Sequence, residues 1–169
     1  MMNDNSYVEC LVASKASPVV KALSIISLVL AVVFFLSSLV GLGLVGLILC
    51  IGAGVAYYFL SLNANIEFEY QYCDKEITVD KILNKSRRKN VGKYDVTKIE
   101  ALAPSRSYHL DEFKNKQLKT VDYSSREKNP QPDPTYTFIY DGKEKIIFEP
   151  TDEFVAAVKS VAPRKVFTD

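Results

Sequence analysis

The chain has 169 residues, enough for a membrane segment and one small domain but not for two large ones. Its 21 Lys+Arg against 20 Asp+Glu leave a formal charge of +1, which excludes the bulk positive field of a nucleic-acid binder. Three scattered cysteines, Cys10, Cys50 and Cys73, share no CxxC spacing and argue against a disulfide framework or a thiolate zinc site.

The charges are unevenly placed. Residues 22–66 carry none, and every acid except Asp4 and Glu9 and every base except Lys15 and Lys21 falls after them. That step divides the chain into a leader (1–19), an apolar segment (20–62) and a polar domain (66–163).

In the leader, Ser6-Tyr7-Val8-Glu9 has capping-box spacing. It predicts a short cytoplasmic helix with Tyr7, Cys10, Leu11 and Ser14 on one side, ending before Pro18.

The uncharged run would extend roughly 68 Å as one helix at about 1.5 Å per residue. A single crossing of about 30 Å of hydrocarbon needs roughly 20 residues, so the run is sized for two spans. Gly41-Leu42-Gly43 is its weakest helix-forming point and falls near the middle, which predicts helices over 20–40 and 44–62. Lys15 and Lys21 flank one end; Lys75, Lys81, Lys85, Arg87, Arg88 and Lys89 flank the other; the turn has no charge. The positive-inside rule then places both termini in the cytoplasm of a two-span cell-membrane protein, with Tyr57, Tyr58 and Phe59 as its aromatic belt.

Gly41-Leu42-Gly43-Leu44-Val45-Gly46 matches the dinucleotide fingerprint GxGxxG, but no strand precedes it and the next acid is Glu67. The glycines read instead as packing residues. Gly46, Cys50 and Gly54 recur every four residues and give helix two a small-residue face. Its partner is either helix one, through Ser24, Ser27 and Ala31, or a second copy of the chain, so a homo-oligomer stays open. Neither span contains an ionisable group, which argues for an anchor rather than a transporter or channel.

From Ile66 the period becomes two. Phe68, Tyr70 and Tyr72 alternate with Glu67, Glu69 and Gln71, the pattern of a half-buried strand. Asp74-Lys75 turns the chain into a second strand, with Ile77 and Val79, ending near Leu83. A polar basic loop follows, then a strand over Tyr94–Ala103, a short one near Lys119–Tyr123, and an exposed loop over Ser124–Pro134. Thr135–Tyr140 and Lys143–Phe148 form a hairpin about Asp141-Gly142, a favoured turn pair. The last element is a helix over 152–162, capped by Thr151, with Asp152 and Glu153 in its first turn and Pro163 beyond its end. Phe154, Val155, Val158 and Val161 make its apolar face. About six strands and one amphipathic helix predict an α+β domain, a small antiparallel barrel or sandwich closed by the C-terminal helix.

That element order resembles the pleckstrin-homology-like (PH-like) superfold. Tyr7-Val8-Glu9, the two apolar spans, Tyr94-Asp95-Val96-Thr97-Lys98-Ile99-Glu100 and Phe148-Glu149-Pro150 further resemble an uncharacterised family of two-pass membrane proteins from Clostridia-type bacteria. The resemblance implies the architecture and carries no activity, cofactor or metal.

Lys81, Lys85, Arg87, Arg88, Lys89 and Lys93 form a cationic run with no acid among them. Beside an anionic leaflet each contributes on the order of 1 kcal/mol. The run reads either as a loop held against anionic lipid or as a solvated turn. His109 with Asp111 and Glu112 is too sparse for a metal or general-base site, and no nucleophile motif or phosphate loop accompanies it. The expectation is a protein that is not an enzyme: a membrane-anchored binding or scaffolding module. The alternative is an accessory subunit assembled through its hairpin into a larger membrane complex. Expected partners are membrane lipids and an unidentified protein, without nucleic acid.

Overall fold

The computed structural model describes residues 7–14, 18–127 and 132–168, which form two compact units. Ser6 and Lys15, invoked above as a cap and a flanking charge, lie outside the described residues, as does 128–131 of the proline-bearing loop.

One unit holds the apolar run. Helices α1 (Pro18–Ser37) and α2 (Gly43–Leu62) are joined by Ser38–Leu42, which winds more widely than an α-helix. Gly41 leaves helical dihedrals there, and Gly43 takes φ 49° with ψ −129°, a combination open essentially to glycine. The two helices pack side by side through small residues. Ser27 Oγ donates to the Ala53 carbonyl at 2.8 Å. A Cβ added at Gly46 would meet Ser38 Cβ at 2.7 Å, so this approach requires glycine. The outward surface is apolar: Tyr7, Leu11, Tyr108 and Val161 aside, every exposed large hydrophobic side chain among the described residues lies between Val19 and Phe59. The helical run Pro18–Leu62 is long and apolar enough to cross a membrane.

The other unit is built on two four-stranded sheets. The first orders β1 (Tyr7–Ser14), β2 (Ile66–Cys73), β3 (Glu76–Leu83) and β4 (Arg87–Asp95). The second comprises β5 (Ile99–Pro104), β6 (Lys119–Asp122), β7 (Tyr136–Tyr140) and β8 (Glu144–Phe148), in the order β5-β7-β8-β6. Helix α3 (Asp152–Val161) follows. Aromatic side chains fill the core in edge-to-face contacts, the geometry their quadrupoles favour. Tyr70 of β2 meets Phe148 of β8 at 5.5 Å, and Tyr94 of β4 meets Phe138 of β7 at 5.2 Å. Phe154 of α3 plugs this core, 6.0 Å from Phe148 and 6.2 Å from Tyr72. The turns carry their expected chemistry. Asp141 and Gly142 both take positive φ (51° and 62°), as do Asp74 and Lys75 (45° and 68°), the signature of tight hairpin connections. Thr151 Oγ1 accepts from Phe154 N at 3.3 Å and caps α3.

Five expectations need correction. The leader is strand β1, not a helix: Val8 and Cys10 point inward with Tyr7 and Glu9 outward, and pairing with β2 supplies backbone partners that outweigh the helical spacing. The polar basic loop is largely strand β4. The single strand expected over Tyr94–Ala103 is broken by a 3-10 turn at Val96–Lys98, where Asp95 accepts from Thr97 N, and its halves enter different sheets. Of the barrel and the sandwich expected, the two sheets form the sandwich, but it is not wholly antiparallel, since β6 pairs with β8 in parallel. Val161 stays exposed at the frayed end of α3.

Candidate functional site

Strand β4 disperses the cationic run instead of presenting it as one patch. Arg88 Nη2 is bonded to Glu69 Oε2, and Arg88 Nε lies 3.9 Å from Asp80. Gln71 Nε2 donates to the other Glu69 oxygen at 2.8 Å. Glu69 is 2% exposed. Burial first, and then the neighbouring Glu9 carboxyl, hold its acid above the usual carboxylate range, while Gln71 and Arg88 pull it down. Arg88 therefore compensates a buried charge. Lys93 pairs with Glu76 at 3.0 Å. Lys85 sits in the β3–β4 turn at φ 55°. Arg87, in the same compact unit as the helices, donates to Tyr58 Oη at 3.2 Å with its guanidinium 5.9 Å from that ring's centroid. Lys89 is exposed, and Lys81 points elsewhere.

Lys81 follows Ile77 and Val79 on the inner face of β3 and lines a cavity of about 550 Å³ between the edge strands β4 and β6. Phe68, Tyr94, Tyr123 and Tyr140 give its aromatic lining; Lys93, Lys119 and Arg126 bring further cations, against Asp122 and Glu144. Lys119 is matched to Glu144 at 2.8 Å, and Arg126 Nε lies 3.5 Å from Asp122. Lys81 has no carboxylate within ion-pair distance among the described residues. Burial, then the like charges of Arg126 and Lys89, push its amine below the usual lysine range. Tyr123 Oη donates to the Val91 carbonyl at 2.9 Å and lies 3.0 Å from Tyr94 Oη, which fixes both rings. Gly92 permits this, because a Cβ there would meet Tyr94 Cε2 at 2.6 Å.

Sequence reasoning missed this pocket because β3, β4, β6 and the Tyr123–Arg126 segment are distant in the chain. One signal existed: the period-two pattern through Ile77 and Val79 places Lys81 inward, where a lysine is out of place.

The small-residue face of α2 is used unevenly. Gly46 is in tight contact with Ser38, Cys50 is half-buried, and a Cβ at Gly54 would meet nothing within 4 Å. His109 lies in a 3-10 segment, Tyr108–Phe113, its ring stacked on Phe167 at 3.7 Å and beside Tyr108 at 4.0 Å. Among the described residues no group of His, Cys, Asp and Glu is arranged to hold a metal.

Two sheets over an aromatic core, with a C-terminal helix set into it, define an α+β module of the PH-like class. The family model described as Bacterial PH-like domain (DUF6106) matches residues 4–168, and the chain belongs to that family. No curated protein and no solved structure matches it.

Proposed function

We propose that the chain is a membrane-tethered, non-catalytic binding or scaffolding module, held in the bilayer by α1 and α2 with its PH-like domain and both termini in the cytoplasm. One observation carries the reading: the helical pair buries almost none of its large apolar side chains within the protein. Burying one such side chain is worth about 1.5–3 kcal/mol, so a surface of this size demands an apolar solvent. The length of each helix, 20 residues, suits one crossing. The missing charge at the Ser38–Gly43 turn and the cations after β2 support inward-facing ends. Tyr58 held by Arg87 supports an interfacial anchor at the end of α2. Arg87 and Lys89, both exposed, are offered to anionic lipid, whereas Arg88 and Lys93 are engaged with acids.

The native cysteines provide the test. Cys73 is exposed, Cys10 is buried and Cys50 lies within α2. A membrane-impermeant maleimide should leave Cys73 unlabelled on intact cells and label it after permeabilisation, and alkaline extraction should leave the protein in the membrane pellet. Labelling of Cys73 on intact cells overturns the topology, and release by alkali overturns the anchor. The second reading, an accessory subunit assembled through the hairpin, draws on Gly52 and Gly54, where an added Cβ meets nothing within 4 Å. Exchanging Pro18–Leu62 for an unrelated helical hairpin preserves the binding partners under the first reading and removes them under the second.

A further inference from the structure

The cavity between β4 and β6 has a charge imbalance that the fold does not resolve. Its volume of about 550 Å³ is in the range of small-molecule sites. Its walls combine aromatic faces with convergent polar groups, and the tyrosine pair that lines it is locked by hydrogen bonds, so the site is formed in advance. Three of its four cations are matched to acids. Among the described residues Lys81 is not, although it is the one on the inner face of the sandwich. A partly desolvated amine with like charges as neighbours costs the fold stability, and among the described residues no ion pair offsets that cost. Such a residue is the expected mark of a ligand site.

We infer that this pocket binds a phosphate-bearing anion, with Lys81 and Arg126 as its charged contacts and Phe68, Tyr94 and Tyr140 against the body that carries the phosphate. Arg126 already faces Asp122, so the pocket holds one uncompensated positive charge; a phosphate offsets it and presents oxygens enough to accept from Lys81 and Arg126 together, which favours it over a carboxylate. The phosphate can belong to a soluble molecule or to a lipid headgroup, and the chemistry at Lys81 is the same. The inference rests on the binding-module reading and not on the membrane anchor.

The test uses full-length protein in uncharged detergent. One arm titrates inorganic phosphate by calorimetry; the other adds phosphatidic acid to the micelles, with phosphatidylcholine as control. Saturable binding in the first arm identifies a soluble source, and binding confined to the second identifies a lipid. In either arm Lys81→Met and Arg126→Gln should each weaken binding about tenfold or more, the loss of one charge-assisted hydrogen bond, while Lys98→Met leaves it unchanged. Lys81→Met should do so with an unchanged or raised melting temperature, since it removes a desolvated charge; that separates lost binding from lost folding. The absence of saturation in both arms up to about 10 mM, ten times a weak Kd of about 1 mM, overturns the inference. So does binding that persists in both variants. Alkaline extraction of the same membranes reports on the anchor independently, so failure of either idea is read without the other.

Discussion

Replacing Arg88 with Met separates a structural role from a lipid-binding one. Glu69 is buried among neighbours that leave it two partners beyond the Glu9 carboxyl: the Arg88 guanidinium and the Gln71 amide, the latter at 2.8 Å. Removing one member of a buried ion pair costs about 3–5 kcal/mol, because the remaining charge is uncompensated. Arg88 itself is 55% exposed, so water screens part of the pair, and the Gln71 bond survives. These discount the loss to about 2 kcal/mol. For a domain of this size that lowers the melting temperature by about 8 °C. The pH dependence has a definite sign. Glu69 already titrates above its unfolded value, and losing Arg88 moves it further up. Its charged form then opposes folding, so the defect is complete above the folded pKa and shrinks as pH falls through it towards the unfolded value. The assay is thermal unfolding of the full-length protein in detergent, followed by the near-UV signal of its tyrosines, at neutral and mildly acidic pH. Glu69→Gln introduced into the Arg88→Met protein should recover most of the loss, and Arg87→Met, which removes only an exposed hydrogen bond to Tyr58, should cost under about 1 kcal/mol. A defect that is absent, indifferent to pH or not relieved by Glu69→Gln would refute the assignment of Arg88 to the fold.

The remaining predictions concern the hairpin and the core. Gly46→Leu drives a side chain into Ser38 and should destabilise the helical pair by about 1–3 kcal/mol, read as earlier thermal aggregation of the solubilised protein, while Gly54→Leu should be close to neutral. Equal effects at the two glycines would contradict the packing. Phe154→Ala empties the junction of Tyr70, Tyr72 and Phe148 and should cost about 3–5 kcal/mol, enough to leave little folded domain by near-UV circular dichroism. Thr151→Ala removes the cap of α3 for about 1 kcal/mol, and Thr151→Ser should restore it; a cost unaffected by the hydroxyl would dismiss the cap.

Local features were read well where the signal is local. Phe68, Tyr70 and Tyr72 declare their strand by alternation, Asp141-Gly142 supplies both positive φ angles of its turn, and Thr151 with Asp152, Glu153 and Pro163 bounds α3. The misreadings share one cause, partners remote in sequence. Tyr7–Ser14 has both a helical and a period-two pattern; pairing with β2, across the apolar helices, chooses the second. Arg87–Lys93 looks like a loop because its outward face is polar, yet a strand in a sandwich needs only one apolar face and β4 takes its place from β3. The C-terminal tail is a further case. Leu102 N donates to the Lys165 carbonyl at 2.7 Å and Phe167 N to the Leu102 carbonyl at 2.8 Å, covering the edge of β5 with residues that have no strand pattern.

By itself the sequence determined the apolar helical segment, its glycine break, strands β2 and β3, the β7–β8 hairpin and the terminal helix, because each depends on side chains within a few residues of one another. Tertiary structure alone decided what the cations do. The pairing of strands in the first sheet gives Arg88 to Glu69 and Lys93 to Glu76, and the inner face of β3 gives Lys81 to a pocket completed by Tyr123 and Arg126. A run of like charges has no function until the sheet assigns each one a face and a neighbour.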